Sequence, residues 1–194
     1  MELDRSLSFM IKDMKCQLRT LQDSDVDKEY VNGLKQQTKY IKNIPRNVNV
    51  SSQKKYINDI LLSKGDTICG LFINKKLVGT TGIQSSILFL EYIDNPPEYV
   101  ATVGIFIFNN SYRDMGLGKV LVWAASYIFH NFTQSEWFGA GMEKENITSL
   151  KSFLSCGFQL INENNEGFSV LLNISELKKP IIIDNVRIQK LKKL

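Results

Sequence analysis

A three-layer α/β domain built on a mixed sheet is the fold class this sequence predicts. Three observations carry it. The early part reads as helices followed by a hairpin, and the later part as strand, helix, strand, helix, strand. The strand–helix–strand portion requires locally parallel pairing, because a crossover helix returns the chain in the same direction, within a sheet that is otherwise antiparallel. Apolar residues make up 43% of the 194, enough to fill one core, and no repeat or low-complexity segment divides it.

In chain order, "QLRTL" (17–21) reads as the first strand, closed by "QDSD". Asp23, Asp25 and Asp27 then open a helical pattern over 26–41, acids being favoured at the positive end of a helix. "NIPRNVN" breaks it, and 51–65 reads as a second helix with Ser51 or Ser52 as cap and Gly65 as stop. Residues 67–73 and 76–83 flank Asn74-Lys75 as a hairpin. The stretch 85–99 is irregular, since Pro96-Pro97 forbids a central strand. A strand at 100–108, a glycine turn and a helix to about His130 follow. A strand at 137–142, a helix at 146–155 and strands at 157–161 and 167–174 complete the domain.

The domain is read as 1–177 and a basic extension as 178–194. The extension holds Lys178, Lys179, Arg187, Lys190, Lys192 and Lys193 against one acid, Asp184, while the whole chain carries a net charge of +4. The body is therefore nearly neutral, and no nucleic-acid partner is expected. "IIID" (181–184) could add to a partner's sheet edge. No apolar run approaches the roughly 20 residues of a membrane span, and 1–15 lacks a signal-peptide layout. A cytoplasmic protein without membrane partners is expected. Cys16, Cys69 and Cys156 form no CxxC pair, and His130 is the single histidine, so no metal is expected.

The informative stretch is "YRDMGLGK" (112–119), between the strand and its helix. A nucleotide P-loop would need GxxxxGK followed by Ser or Thr; here Val120 follows Gly118-Lys119, and Arg113 stands where the first glycine belongs. A dinucleotide fingerprint fails at Leu121, the place of its third glycine, although Glu136 stands where such folds place an acid. What remains is a turn whose backbone N–H groups converge at a helix N-terminus, a phosphate cradle with Arg113 at its rim.

"RDMGLG" (113–118) and "NITSLKSFLSCGF" (146–158) together resemble two spaced motifs of the Gcn5-related N-acetyltransferases. The resemblance spans about residues 16–175. It implies that family's three-layer α/β/α fold, with a mostly antiparallel sheet splayed between the fourth and fifth strands. It implies acetyl-CoA as cosubstrate, with the pantetheine arm paired to the main chain of Phe106 and Phe108. The pyrophosphate would lie on the main chain of Arg113, Asp114, Met115, Gly116, Leu117, Gly118 and Lys119. Asn146 would bond the pantetheine or cap its helix, beside Phe153.

Phe153 stands where the family often places a proton-donating tyrosine, so the acid is unassigned; Ser152, Ser155 and Cys156 are its neighbours in sequence. Glu143 and Glu91, with Asp94, are the candidate bases. Tyr112 and Trp123 read as core residues. The acceptor is expected to be a small-molecule primary amine. The cluster Lys39, Lys42, Arg46, Lys54 and Lys55 suggests a nucleotide-linked amino sugar. Protein N-termini, polyamines, and a binding module without turnover are the alternatives. A monomer or homodimer is expected.

Overall fold

In the computed structural model, residues 1–36, 47–112 and 114–191 are described. The chain begins with a strand that the sequence pattern does not announce, β1 (Arg5–Ile11), paired to β2 (Met14–Thr20). Then come α1 (Lys28–Gln36), α2 (Val50–Leu62), β3 (Thr67–Ile73), β4 (Lys76–Ser86) and β5 (Val100–Ile107). They are followed by α3 (Leu117–Thr133), β6 (Trp137–Glu143), α4 (Ile147–Leu154), β7 (Gln159–Glu163), β8 (Gly167–Asn173) and β9 (Ile183–Lys190). Among the described residues, these nine strands form one open sheet in the order β7-β8-β6-β5-β4-β3-β2-β1-β9. Every pairing is antiparallel except β5 with β6, the two strands that α3 connects.

Alternation sorts the side chains into two layers. On β3, Cys69, Leu71 and Ile73 join the core beneath α3, while Ile68 and Phe72 join the one beneath α1 and α2. The strand is buried on both faces, which is why "TICGLFI" is apolar throughout. On the α3 side Phe129 and Phe138 meet edge to face at 6.3 Å, and Trp123 stacks on Tyr127 and abuts Phe9. Trp123 is a core residue and Tyr112 packs against the same core, as their sequence context indicates.

Local chemistry sets the helix starts. The Asp27 carboxylate accepts from the Tyr30 N–H at 2.8 Å at the head of α1. The cap of α2 is Asn49 rather than Ser51 or Ser52. Its side chain accepts from the Ser52 N–H at 2.9 Å, and the Ser52 hydroxyl accepts from the Asn49 N–H at 2.9 Å, a reciprocal capping box.

The basic C-terminal segment is built into the fold over much of its length. The connector after β8 passes the end of α4, where the Lys178 N–H donates to the Cys156 carbonyl at 2.9 Å. It then passes the glycine turn, where a Cβ added to Gly116 would lie 3.6 Å from Ile182 Cδ1. Residues Ile183–Lys190 pair with β1 from Ile11↔Ile183 to Arg5↔Lys190. The segment "IIID" thus meets this chain's own sheet. Asp184, Arg187 and Lys190 leave charges along that strand, a common protection of an unpaired edge.

Gly157 makes this return possible. Its φ is +97°, and an added Cβ would collide with the Glu176 carbonyl. Gly157→Ala is expected to cost about 1–3 kcal/mol in a denaturant titration, through backbone strain and that collision.

Candidate active site

The site begins where β5 and β6 stop pairing. They are joined at only two places, Ala101↔Phe138 and Thr102↔Gly139, and beyond these their C-terminal ends part. β6 stays in the sheet because β8 pairs with it along its whole length, from Trp137↔Asn173 to Glu143↔Gly167. The result is a cleft of about 940 Å³ between the two strands, bounded by α1 and α2 on one side and α4 on the other.

At the head of α3 the chain is shaped for an anion. Gly116 takes φ +71° as the residue before the helix, a left-handed conformation for which glycine is suited. The first helical hydrogen bond runs from the Val120 N–H to the Gly116 carbonyl at 3.4 Å. The N–H groups of Leu117, Gly118 and Lys119 precede it and have no carbonyl within the helix to bond. The Lys119 side chain folds back beside Gly116, its Nζ 3.6 Å from where a Cβ would stand. Gly118 lets α4 close in: its Cβ would come 2.6 Å from Ser152 Oγ. The helix dipole, three N–H groups and one ammonium therefore converge on one place.

Two residues absent from the sequence motifs support this turn. The Asn109 carboxamide donates to Glu29 of α1 at 2.9 Å, and its oxygen accepts from the Ser111 N–H at 3.0 Å. Lys76 pairs with the same Glu29 at 3.1 Å.

The expected site residues divide. Phe106, Glu143, Asn146 and Phe153 line the cleft. Asn146 caps α4, accepting from the Ser149 N–H at 3.2 Å. Phe108 is turned away: its N–H donates to the Val78 carbonyl at 3.3 Å, and its ring meets Tyr30 at 5.3 Å. Glu91 lies on an exposed single turn, Leu90–Tyr92, between β4 and β5, and neither it nor Asp94 lines the cleft. Asp114 is exposed with φ 60°, Met115 packs against the α3 core, and Leu117 is buried. Arg113, Lys39, Lys42 and Arg46 lie outside the described residues. Lys54 and Lys55 belong to α2 but do not line the cleft.

Phe153 itself carries no donor, and the hydroxyls and thiol near it in sequence are engaged elsewhere. Its ring packs edge to face on Phe158 at 4.9 Å and is buried. The Ser152 and Ser155 hydroxyls donate to the Thr148 and Ser152 carbonyls within the helix. The Cys156 thiol donates to the Lys119 carbonyl at 3.2 Å, tying α4 to α3, and burial pushes it up to about 11.

The α1–α2 wall of the cleft was not legible as motif. Tyr30, Gln53 and Tyr56 form part of it, facing Thr80 of β4. Burial pushes the Tyr30 phenol up to about 12, a hydrogen bond with Thr80 pulling the other way. The charged lining residues among those described are Glu143 and Glu166; none is a lysine or arginine. Glycines inside strands, at 82, 104 and 141, were the one available signal of this surface.

No family model matches the sequence, and no curated protein matches it. Solved structures do match. Mycobacterium smegmatis RimJ, in complex with CoA-disulfide, superposes with a TM-score of 0.70 at 13% identity, over 94% of each chain. The aminoglycoside acetyltransferase AAC(6')-Ib, in complex with coenzyme A and kanamycin, gives 0.64 at 14% identity, over 83% of this chain and 96% of its own. An acetyltransferase of the GNAT family from Streptococcus pneumoniae gives 0.61 at 14%, over 82% and 99%. The fold is that of the GNAT acetyltransferases. No helix among the described residues is long and apolar enough to cross a membrane, and those residues hold no group of three or more candidate metal ligands.

Burial raises all three thiols, Cys16 and Cys156 to about 11 and Cys69 to about 12. A folded pKa above the unfolded value stabilises the fold fully below the unfolded thiol's 9.0. That contribution is lost as pH rises from there toward 11–12. Urea midpoints are therefore expected to fall steadily above pH 9. Each Cys→Ser variant should reduce the slope, provided it still folds.

Proposed function

We propose, from the premise of that fold, that this chain is an acetyl-CoA-dependent N-acetyltransferase acting on a cationic primary amine. The observation that carries the reading is the pairing of two features at one place. A sheet opens at β5–β6, and beside the opening stands a helix start whose first N–H groups have no partner within the helix. The first suits an extended pantetheine arm, which can pair with strand main chain; the second suits a pyrophosphate. Leu117, Gly118 and Lys119 would hold the phosphates, with Gly116 giving them access to the backbone. Asn146 and Phe106 would flank the arm.

Bound acetyl-CoA would supply a thioester: the amine nitrogen forms a C–N bond to its carbonyl carbon as the C–S bond breaks, the thiolate departs, and the amine gives up a proton. The chain's own task is to orient the amine and receive that proton. Glu143, at the end of β6 and in the cleft wall, is the candidate base. Glu91 has no part in this reading.

The acceptor's charge follows from the lining. The two carboxylates in the described lining, Glu143 and Glu166, suit an ammonium. A small basic amine is therefore preferred to a nucleotide-linked amino sugar. Of the superposed enzymes, AAC(6')-Ib is by name an aminoglycoside acetyltransferase.

Thermal unfolding with acetyl-CoA, and with NAD as control, tests the reading. Acetyl-CoA at 100 times its dissociation constant should stabilise the fold by about 2.7 kcal/mol, and NAD should not. Free thiol should then appear when basic amines are added. Gly118→Val, whose side chain would collide with Ser152 of α4 and so push the head of α3 out of place, should weaken acetyl-CoA about tenfold or more, the worth of one charge-assisted hydrogen bond. A shift with NAD alone, or with neither ligand, would sink the proposal.

A further inference from the structure

The buried stripe of α2 has one residue of an unexpected kind. Val50, Gln53, Ile57 and Ile60 recur at helical spacing, and the three aliphatic ones pack into the core beneath α1 and α2. Gln53 shares their face and is only 7% exposed. Its main-chain N–H donates to the Asn49 carbonyl, but its carboxamide has no hydrogen-bond partner among the described residues. Burying an amide without a partner costs stability, and leucine would fill such a place without that cost. A buried polar group left unpaired asks for an explanation. Gln53 lines the cleft, where a ligand can supply the missing partner.

The surroundings share its character. Tyr30, 2% exposed, has its phenol hydrogen-bonded with Thr80, itself 5% exposed. On β4, Thr80, Gly82 and Gln84 alternate onto the cleft face, whereas β3 turns Ile68 and Phe72 into the core on that side. A Cβ added at Gly82 would meet nothing within 4 Å, so open space stands over β4 between its two polar side chains. Tyr30, Gln53, Thr80 and Gln84 are polar without charge. The carboxylates of the lining, Glu143 and Glu166, belong instead to β6 and to the turn between β7 and β8.

We propose that Gln53 determines acceptor specificity, binding a neutral hydroxyl or carboxamide of the amine while the ammonium end lies toward Glu143. The acceptor is then an amino alcohol or an amino amide rather than a plain alkylamine. A carboxamide both donates and accepts, which matches either group and offers nothing to a hydrocarbon. This rests on the acetyltransferase reading above and specifies its acceptor.

The test compares the whole chain with Gln53→Leu in three readouts: acetyl-CoA affinity by calorimetry, thiol release, and melting temperature. The acceptors are pairs of equal size: aminopropanol with butylamine, aminopentanol with hexylamine, and glycinamide with isobutylamine. In the unsubstituted chain, at least one hydroxyl- or amide-bearing amine should exceed its hydrocarbon partner in kcat/KM about tenfold or more, because the partner leaves the Gln53 amide unpaired. Which pair shows the ratio tells hydroxyl from amide. In Gln53→Leu the ratio should fall to about one while acetyl-CoA affinity holds. Its melting temperature should stay level or rise by about 2–4 °C, since an unpaired buried amide has been removed. A lowered melting temperature would make Gln53 a structural residue and overturn the proposal without any acceptor in hand. Alkylamines used as well as their partners, a preference that survives Gln53→Leu, or thiol release from no hydroxyl- or amide-bearing amine while acetyl-CoA still binds would each overturn it too, and leave the cofactor reading intact. No binding of acetyl-CoA at all would overturn both.

Discussion

The opening between β5 and β6 is the constraint on which the rest of the structure depends. Two parallel strands that share only two paired positions give up ladder hydrogen bonds in the middle of a sheet. Such groups are costly unless something else bonds them. The fold tolerates the opening because each strand is held on its other side. β5 pairs with β4 from Gly79↔Ile107 to Ser86↔Val100, and β6 pairs with β8 along all its length. At the closed end of the gap Phe89 covers Gly139, where an added Cβ would come 2.7 Å from the ring. That contact, with Ile93, Val100 and Leu171 around it, forms a small core that pins the strands together just before they separate.

The same constraint explains the placement of α3. A crossover helix between parallel neighbours must start at the C-terminal end of the first strand, so its N-terminus faces the mouth of the opening. The positive end of a long, largely buried helix and the unpaired edges of two strands therefore meet without any dedicated side chain. What side chains add is support: Glu29 and Asn109 hold the turn from one side, and the Cys156 thiol on the Lys119 carbonyl holds it from the other. Substituting any of them would act on the turn's position rather than on a ligand directly.

How much of this was legible in sequence follows from how local each feature is. The glycine turn, α3, β6 and α4 were readable because spacing within 113–158 determines them. β1 and β9 were not. Their pairing joins residues about 180 positions apart, and "RSLSFMI" carries no turn signal that would separate it from a leader. The α2 cap was displaced by two residues, because Asn49 and Ser52 satisfy each other and leave Ser51 outward. The resemblance implied the same role for the main chain of Phe106 and Phe108, yet the Val78 carbonyl takes the N–H of Phe108 and of Asn109 as β5 ends. The glycines of the cleft are a register property: Gly82 and Gly104 become neighbours, with Gly141 across the opening, only when the sheet is assembled.

Phe153 then takes on a simple meaning. A proton donor helps a reaction most when the departing group is a poor one, that is, a strong base. An ordinary thiol has a pKa near 8.5, so its thiolate is stable enough near neutral pH to leave without one. The Tyr30 phenol in the cleft wall and the Cys156 thiol between α3 and α4 are buried and pushed up to about 12 and about 11, so they remain protonated and serve as packing and hydrogen-bonding groups. The step that does need help is loss of a proton by an ammonium before attack, since a protonated amine has no lone pair. On the proposed reading the chemistry would therefore lean on a carboxylate in the cleft wall rather than on an acid at position 153. An aromatic ring there, packed on Phe158, contributes rigidity to α4 and so to the far wall of the opening.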